Sequence, residues 1–182
     1  MPRLSKPFAV ILLRILGMDP GTDRTGYGVI EVSGQSLVCL DYGCIAAEKS
    51  TGLPDKLLQI YRDAVGIATK WSPDVMAVEQ VYFSRNAKTA FQVGQARGVL
   101  VLVAATFGME LDELSPVEVK SCIVGYGNAT KQQVQAMTRM ILSLERTPEP
   151  DDAADALACA IASSVKRSFE HTLRRSKADL EG

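Results

Sequence analysis

The sequence predicts a mixed α/β domain, in which a β-sheet is covered by helices on both faces. Two apolar runs, one ending at Met18 and one at Val78, show no polar alternation and are typical of strands buried on both sides. Three strand-like segments come first in the chain, and two more then alternate with helical patterns. That order of elements is typical of a mixed sheet flanked by helices.

The predicted elements follow in order along the chain. The first strand ends in the turn Gly-Met-Asp-Pro-Gly-Thr. The other predicted strands cover residues 27–33, 37–47, 74–81 and 109–114. The predicted helices cover residues 53–71, 86–107, a segment starting after Ser115, 130–144 and 152–169.

Local signals support these boundaries. Gly34, Gln35 and Ser36 separate the second and third strands, which predicts a hairpin. The residues Ser72 and Pro73 end the first helix. The sequences Ser-Pro-Val-Glu and Thr-Lys-Gln-Gln are capping boxes, so each predicts a helix start.

Composition limits the possible functions. A chain of 182 residues with 47% apolar residues is long enough for one sizeable core. The 20 basic residues nearly balance the 21 acidic ones, so a nucleic acid would have to meet a local basic surface. The four cysteines form no CxxC pair and there is a single His, which predicts reduced thiols and no zinc site. The N-terminal apolar run is too short to span a membrane, and we expect a cytoplasmic protein.

Four carboxylates lie at positions that a purely structural role explains poorly. Asp19 lies where the first buried strand meets a Gly-rich turn, and ligands usually bind at strand ends in α/β sheets. Glu79 lies inside the apolar run 75–81, where an unpaired carboxylate costs roughly several kcal/mol. Asp152 and Asp155 are three residues apart and share a helix face that continues into apolar residues.

Each of these acids also has an ordinary structural explanation. Asp19 could close an Asx turn, and a partner Arg could neutralise Glu79. Acids at a helix N-terminus stabilise it by about 0.3 to 1 kcal/mol each. Asp151 suits a capping position, and a shift of one residue would exchange its role with that of Asp152. The spacing to Asp155 favours Asp152 as the functional residue.

The chemistry of this acid set predicts a metal site. Carboxylates without His or Cys suit hard cations such as Mg²⁺ or Mn²⁺. Clustered acids repel one another unless a cation neutralises them. Two such ions about 3.5 to 4 Å apart form a clamp for in-line displacement at a phosphoryl group.

Basic and aromatic residues near the acids predict nucleic-acid contacts. Lys131 falls in the first turn of a helix behind a Gly-rich loop, where a cation opposes the helix dipole but can contact a phosphate. Lys120 lies on the preceding capped helix. The alternative for both is an ordinary solvated lysine.

The loop after Glu79 interleaves aromatic and basic side chains, which fits base stacking together with phosphate contact. Ordinary packing of the two aromatic side chains is the alternative. The residues concerned are Tyr82, Phe83, Arg85 and Lys88.

Five motifs occur in order between about Arg14 and Phe169. They are Arg-Ile-Leu-Gly-Met-Asp-Pro-Gly-Thr with Thr-Gly-Tyr-Gly-Val-Ile, Ala-Val-Glu-Gln-Val-Tyr-Phe, Gly-Gln-Ala-Arg-Gly-Val, Val-Gly-Tyr-Gly and Asp-Ala-Ala-Asp-Ala-Leu-Ala. In these motifs the sequence resembles the RuvC family, the bacterial Holliday-junction resolvases or crossover junction endodeoxyribonucleases.

The resemblance implies an RNase H-like fold, with a mixed five-stranded sheet of three antiparallel strands followed by two parallel ones. It implies a homodimer that nicks opposed strands of a four-way DNA junction and leaves a 5′ phosphate and a 3′ hydroxyl. The implied cofactor is Mg²⁺, two ions per active site, with Mn²⁺ able to substitute. The RuvA–RuvB branch-migration complex is an implied partner.

The resemblance also assigns roles to individual residues. The family's catalytic acids, which hold the metals, fall on Asp19, Glu79, Asp152 and Asp155. Its helpful lysines fall on Lys120 and Lys131, and the aromatic that enters the junction centre falls on Tyr82. The helix that holds Gly94 to Gly98 contributes to the family's dimer interface.

The resemblance sets the expected domain limits as well. The nuclease domain is expected over residues 14–169, with a polar, flexible tail over 170–182. Residues 1–13 precede the family's usual start, and we expect them to be disordered or to come from an upstream start codon.

Three other functions compete with a junction nuclease. Gly-Met-Asp-Pro-Gly-Thr also resembles the phosphate loop of the kinase and chaperone-type ATPase superfamily, but those proteins need a second lobe and a second phosphate motif. A catalytically silent junction-binding protein predicts a broken acid set, and here all four positions are filled. A general ribonuclease of the RNase H-like class would need neither the aromatic-basic loop nor the apolar dimer helix.

Overall fold

The computed structural model describes residues 12–48, 50–80 and 87–181, and for 87–89, 175 and 177–181 it describes the backbone alone. The strands are β1 (Leu12–Asp19), β2 (Arg24–Ser33), β3 (Ser36–Ala46), β4 (Val75–Glu79) and β5 (Glu110–Leu114). The helices are α1 (Leu53–Trp71), α2 (Ala87–Thr106), α3 (Pro116–Val124), α4 (Lys131–Ile141) and α5 (Asp151–Glu181).

The five strands form one sheet in the order β3-β2-β1-β4-β5. The first three strands are antiparallel neighbours, and β1, β4 and β5 run parallel. The predicted mixed sheet is therefore confirmed, with the apolar β1 at its centre and the short β5 at one edge. Gly34, in the turn between β2 and β3, has a φ of 61°, which suits glycine.

Local signals placed most element ends correctly. Helix α1 ends at Trp71, with Ser72 in the left-handed region. Ser115 and Thr130 each form a full capping box with the residue three positions later, so α3 and α4 start where the sequence predicts.

Several boundaries differ from the prediction, and α4, for example, ends at Ile141 instead of 144. Strand β2 begins at Arg24, three residues before the predicted 27, because its ladder with β3 extends to the pair Arg24–Ala46. Helix α5 begins at Asp151 and continues to Glu181 instead of ending at Phe169, because no Gly or Pro interrupts it. The segment predicted as a tail is therefore helical as far as Glu181. Strand β1 begins at Leu12, and the rest of the predicted N-terminal extension lies outside the described residues.

Two apolar cores lie on opposite faces of the sheet. Alternate residues of β1 point to different cores, with Ile15 in one and Leu16 in the other. The Leu16 core is closed by α1 and α2, and the Ile15 core by α3, α4 and α5. Helices therefore cover both faces, as predicted.

Helix α5 lies unusually close to the sheet because glycines of β1 and β2 leave room for it. A Cβ on Gly17 would overlap the backbone of Ala156, and a Cβ on Gly26 would overlap the backbone of Asp152. This contact places the N-terminal turns of α5 directly over the end of β1.

All four cysteines are free, as predicted, with Cys159 buried and the others half-buried. Among the described helices, none is long and apolar enough to cross a membrane.

Candidate active site

The carboxyl ends of two neighbouring parallel strands open into a cavity. Asp19 is the last residue of β1 and Glu79 the last of β4, and these strands pair up to Met18 and Val78. Asp155 reaches the same cavity from the second turn of α5. The cavity has a volume of about 240 Å³. Its charged lining residues are Asp19, Glu79, Asp155, Lys120 and Lys131. The structure thus brings together three of the four predicted acids and both predicted lysines.

The carboxylates of this cavity are held in a poorly solvated, repulsive environment. Burial, followed by the charges of Asp155 and Glu79, raises the pKa of Asp19 to about 7. Burial and the charge of Asp155 also raise the pKa of Glu79, although Lys120 and Lys131 oppose that shift. Burial raises the pKa of Asp155 despite its contact with Lys131. Such shifts are typical of functional carboxylates.

Lys131 is a cation within the cavity. Its Nζ lies 2.9 Å from Oδ2 of Asp155 and 3.3 Å from Oδ2 of Asp151. Partial burial lowers the pKa of Lys131, but these two carboxylates outweigh burial and raise it. Lys131 therefore stays charged, at the start of α4, next to the acids.

Asp152 is the predicted acid that does not line the cavity. Its Oδ2 accepts an ion pair from Nη2 of Arg24 at 2.8 Å, and it is not among the cavity's lining residues. Its charge nevertheless contributes to the raised pKa of Asp19. The reason is its place over Gly26, which pairs with Asp19 between β1 and β2.

Asp151 is more than the capping residue that the sequence suggests. Its side chain accepts a hydrogen bond from Nε2 of Gln135 at 3.2 Å and pairs with Lys131. Hydrogen bonding from Lys131 and Gln135 lowers the pKa of this exposed carboxyl. Asp151 therefore connects α5 to α4 at the rim of the cavity, while Asp155 lies inside it.

The donor set suits a hard divalent cation. Burial raises the pKa of all three cavity carboxylates, and the charge of Asp155 raises the pKa of Asp19 and Glu79 further. A cation among them would remove that repulsion. Over residues 12–48, 50–80 and 87–181, no group of three or more His, Cys, Asp or Glu side chains stands ready to hold an ion. Asp152 and Asp155 are paired with Arg24 and Lys131 instead.

The aromatic-basic loop is not described by the structure. Tyr82, Phe83 and Arg85 fall in residues 81–86, and only the backbone of Lys88 is described, at the start of α2. Their predicted DNA contacts stay predictions.

Two site residues were missed by the sequence reasoning. Arg24 on β2 pairs with Asp152 on α5, and a local sequence pattern does not predict a contact between residues this far apart in the chain. Gly26 carries a weak signal, since a glycine inside a strand often marks the close approach of another backbone.

Comparison with known proteins first defines the class. The chain is similar to a structure of T. thermophilus RuvC in complex with Holliday junction substrate. The TM-score is 0.83 and the sequence identity 28%, over 87% of this chain and 96% of the other. The fold is thus the RNase H-like fold of junction resolvases, with the acid cluster at its central strands.

The family follows from the sequence matches. The model of the family "Crossover junction endodeoxyribonuclease RuvC" matches residues 15–163. The RuvC of Heliobacterium modesticaldum is 50% identical over 147 residues, covering 81% of this chain and 91% of the relative. The RuvC of Alkaliphilus oremlandii is 45% identical over 155 residues, covering 85% and 94%. The chain belongs to the RuvC family of crossover junction endodeoxyribonucleases, which confirms the resemblance stated above.

Proposed function

We propose that this chain resolves four-way DNA junctions by metal-dependent nicking of two opposed strands. The observation that carries the proposal is the convergence of Asp19, Glu79 and Asp155 in one cavity with two lysines. Metal-dependent phosphodiester hydrolysis uses acids to hold the cation and basic groups to stabilise charge on the phosphate. Family membership supplies the junction as substrate, since the matched T. thermophilus RuvC is in complex with Holliday junction substrate.

The acids divide between two Mg²⁺ ions in this proposal. Asp19, with Asp152 and Asp155, would hold one ion, and Asp19 with Glu79 would hold the other. When bound, such ions would supply an activated water molecule and charge stabilisation at the leaving 3′ oxygen, and the expected products are a 5′ phosphate and a 3′ hydroxyl. Mn²⁺ has the same preference for oxygen ligands and is expected to substitute.

Basic and aromatic side chains would act on the DNA. The ammonium of Lys131 lies 2.9 Å from Oδ2 of Asp155, so a phosphate bound over the acids would lie within its reach. Lys131 would then stabilise negative charge on the scissile phosphate. Lys120 lines the same cavity and would contact a neighbouring phosphate. Tyr82 would hold the junction open, with Phe83, Arg85 and Lys88 contributing stacking and charge. These roles come from the sequence motif.

Two active sites are needed to nick two strands, so we propose a homodimer. The apolar helix α2 supports this, because Phe91 is 68% exposed and Leu102 is 58% exposed on it. Large apolar side chains on a helix surface are typical of contact with a partner. The RuvA–RuvB complex is the further partner expected from the family, and co-purification with it would test that contact.

One cleavage experiment tests the proposal. A labelled four-way junction, a linear duplex of the same sequence and an RNA–DNA hybrid are incubated with the protein, with Mg²⁺ or with EDTA. We expect the junction alone to be cut, only with Mg²⁺, and the nicks to be sealed by DNA ligase. Equal cutting of all three substrates would rule out a resolvase, and nicks that resist ligase would rule out the proposed ends.

A further inference from the structure

The backbone of Asp152 is fixed, but its carboxylate is not. The main chain at Asp152 packs against Gly26, where a Cβ would find no room. Helix α5 therefore cannot slide over the sheet to bring Asp152 closer to Asp19, its neighbour through the β1–β2 pair. The remaining freedom is rotation of the Asp152 side chain, so whatever holds that side chain decides where its charge lies.

In the structure, Arg24 holds this carboxylate. The guanidinium Nη2 lies 2.8 Å from Oδ2 of Asp152, and neither residue lines the cavity. Arg24 and Gly26 are two residues apart on β2, so both face α5. Lys131 differs from Arg24 in this respect, because it pairs with Asp155 and both residues line the cavity.

We propose that Arg24 is a positioning residue that competes with the divalent cation for Asp152. It is the counter-ion of this carboxylate when no metal is bound, and it has to release the carboxylate before Asp152 can turn toward a cation beside Asp19. The inference rests on the proposed metal site. It assigns to Arg24 a control of metal affinity that the family motifs do not contain.

The solvent exposure of the Arg24–Asp152 ion pair sets the size of the expected change in metal affinity. The side chains of Arg24 and Asp152 are 50% and 30% exposed, so water weakens their pair. Partly exposed pairs contribute modestly, which corresponds to a change in metal affinity of about two- to fivefold. Removing the Arg24 charge should therefore strengthen cation binding by about that factor, rather than weaken it.

The test measures Mn²⁺ binding to the full-length chain without DNA, from the free Mn²⁺ signal in electron paramagnetic resonance. Arg24→Gln is expected to bind Mn²⁺ about two- to fivefold more tightly than wild type. Arg24→Lys keeps a positive charge and should lie between the two. Arg14→Gln is the matched control, because it removes an arginine from the same sheet. Nε of Arg14 lies 2.9 Å from Oε2 of Glu31, and neither residue lines the cavity.

A double substitution separates the pair from a general charge effect. In an Asp152→Asn background, Arg24→Gln should leave the affinity for Mn²⁺ unchanged, because the competition is already gone. If Arg24→Gln tightened Mn²⁺ binding equally in the Asp152→Asn background, the inference would be overturned. Unchanged or weaker Mn²⁺ binding by Arg24→Gln alone would also overturn it. In either case the proposed metal site would stand. Failure of wild type to bind Mn²⁺ would overturn the proposed metal site and this inference together.

Discussion

The backbone of Asp152 packs directly against Gly26, in the space that a side chain on Gly26 would occupy. Gly26 in turn pairs with Asp19 in the sheet. One glycine thus sets the distance between the strand acid and the helix acids.

Gly26→Ala should therefore damage both stability and activity. The added methyl group meets the backbone of Asp152, which cannot rotate away as a side chain could, so α5 has to shift. Overpacking of this kind costs about 1 to 3 kcal/mol in the free energy of unfolding. Urea unfolding measures that loss, and junction cleavage should fall further than the folded fraction does.

Gly66→Ala is the matched control for this substitution. Gly66 lies in α1, and apart from the adjoining residues and backbone of its own helix no atom lies within 4 Å of the position that its added methyl group would take, so alanine meets no tertiary contact there. Alanine favours a helix over glycine by about 0.5 to 1 kcal/mol, so this variant should be slightly more stable than wild type. If Gly26→Ala were as stable as Gly66→Ala, the close approach of α5 would not constrain the site.

Asp155→Asn should abolish cleavage and leave junction binding largely intact. Asp155 lies in the cavity with Asp19 and Glu79, so the amide removes a charge that would hold the cation. Loss of even an indirect partner of a metal ligand costs about 10- to 100-fold, and a direct ligand should cost at least the upper value. Single-turnover cleavage and a gel-shift assay in Ca²⁺ measure the two properties separately.

Asp151→Asn is the comparison that resolves the adjacent acids. Asp151 pairs with Lys131 at the cavity rim and is not a lining residue, so its amide should retain most of the cleavage rate. A rate as low as that of Asp155→Asn would place Asp151 among the metal ligands.

The contribution of Asp19 to the stability of the metal-free protein should fall as the pH rises. The pKa of Asp19 is about 7 in the folded chain, against an ordinary value of 3.8, so between these values the folded state keeps a proton that the unfolded state has lost. The free energy of unfolding therefore decreases with pH across that window. Asp19→Asn removes this penalty, which makes it more stable than wild type at pH 8 in EDTA, by on the order of a few kcal/mol. Thermal unfolding at pH 5 and pH 8 measures the difference.

Asp112→Asn should behave in the opposite way. Burial raises the pKa of Asp112, but hydrogen bonds from Arg167 and Ser163 outweigh burial and lower it. Its contribution to stability is therefore present above the unfolded pKa and is lost as the pH falls through the lower folded pKa. The amide should thus destabilise the protein at pH 8. Equal responses of the two variants to pH would contradict the assigned shifts.

Local signals in the sequence predicted most of the fold, because each depends on residues close together in the chain. The capping boxes at Ser115 and Thr130 and the end of α1 at Trp71 are of this kind. Asp19 is predicted because ligands usually bind at strand ends in α/β sheets, and Glu79 because a carboxylate in an apolar strand is costly without a partner.

What the sequence could not predict depends on contacts between distant segments. The pairing of Arg24 with Asp152 depends on how closely α5 lies on β2, and that distance is set by glycines whose packing a sequence pattern does not show. The spacing of Asp152 and Asp155 on one helix face predicts that both carboxylates face the metals. In the structure, the carboxylate of Asp152 pairs with Arg24, and neither residue lines the cavity. The polar composition after Phe169 predicts that the helix ends there, but α5 continues to Glu181 because no Gly or Pro interrupts it.

Lys131→Gln should lower the cleavage rate by about 100-fold, the usual cost of removing one group that stabilises charge in a transition state. The ammonium lies beside Asp155 inside the cavity, so a phosphate bound over the acids would lie within its reach. Junction affinity should change far less, because one charge among many phosphate contacts contributes little to binding. Lys70→Gln, which removes a lysine paired with Asp41 outside this cavity, should leave the rate unchanged. A wild-type rate for Lys131→Gln at saturating Mg²⁺ would mean that Lys131 only neutralises Asp151 and Asp155 until a metal replaces it.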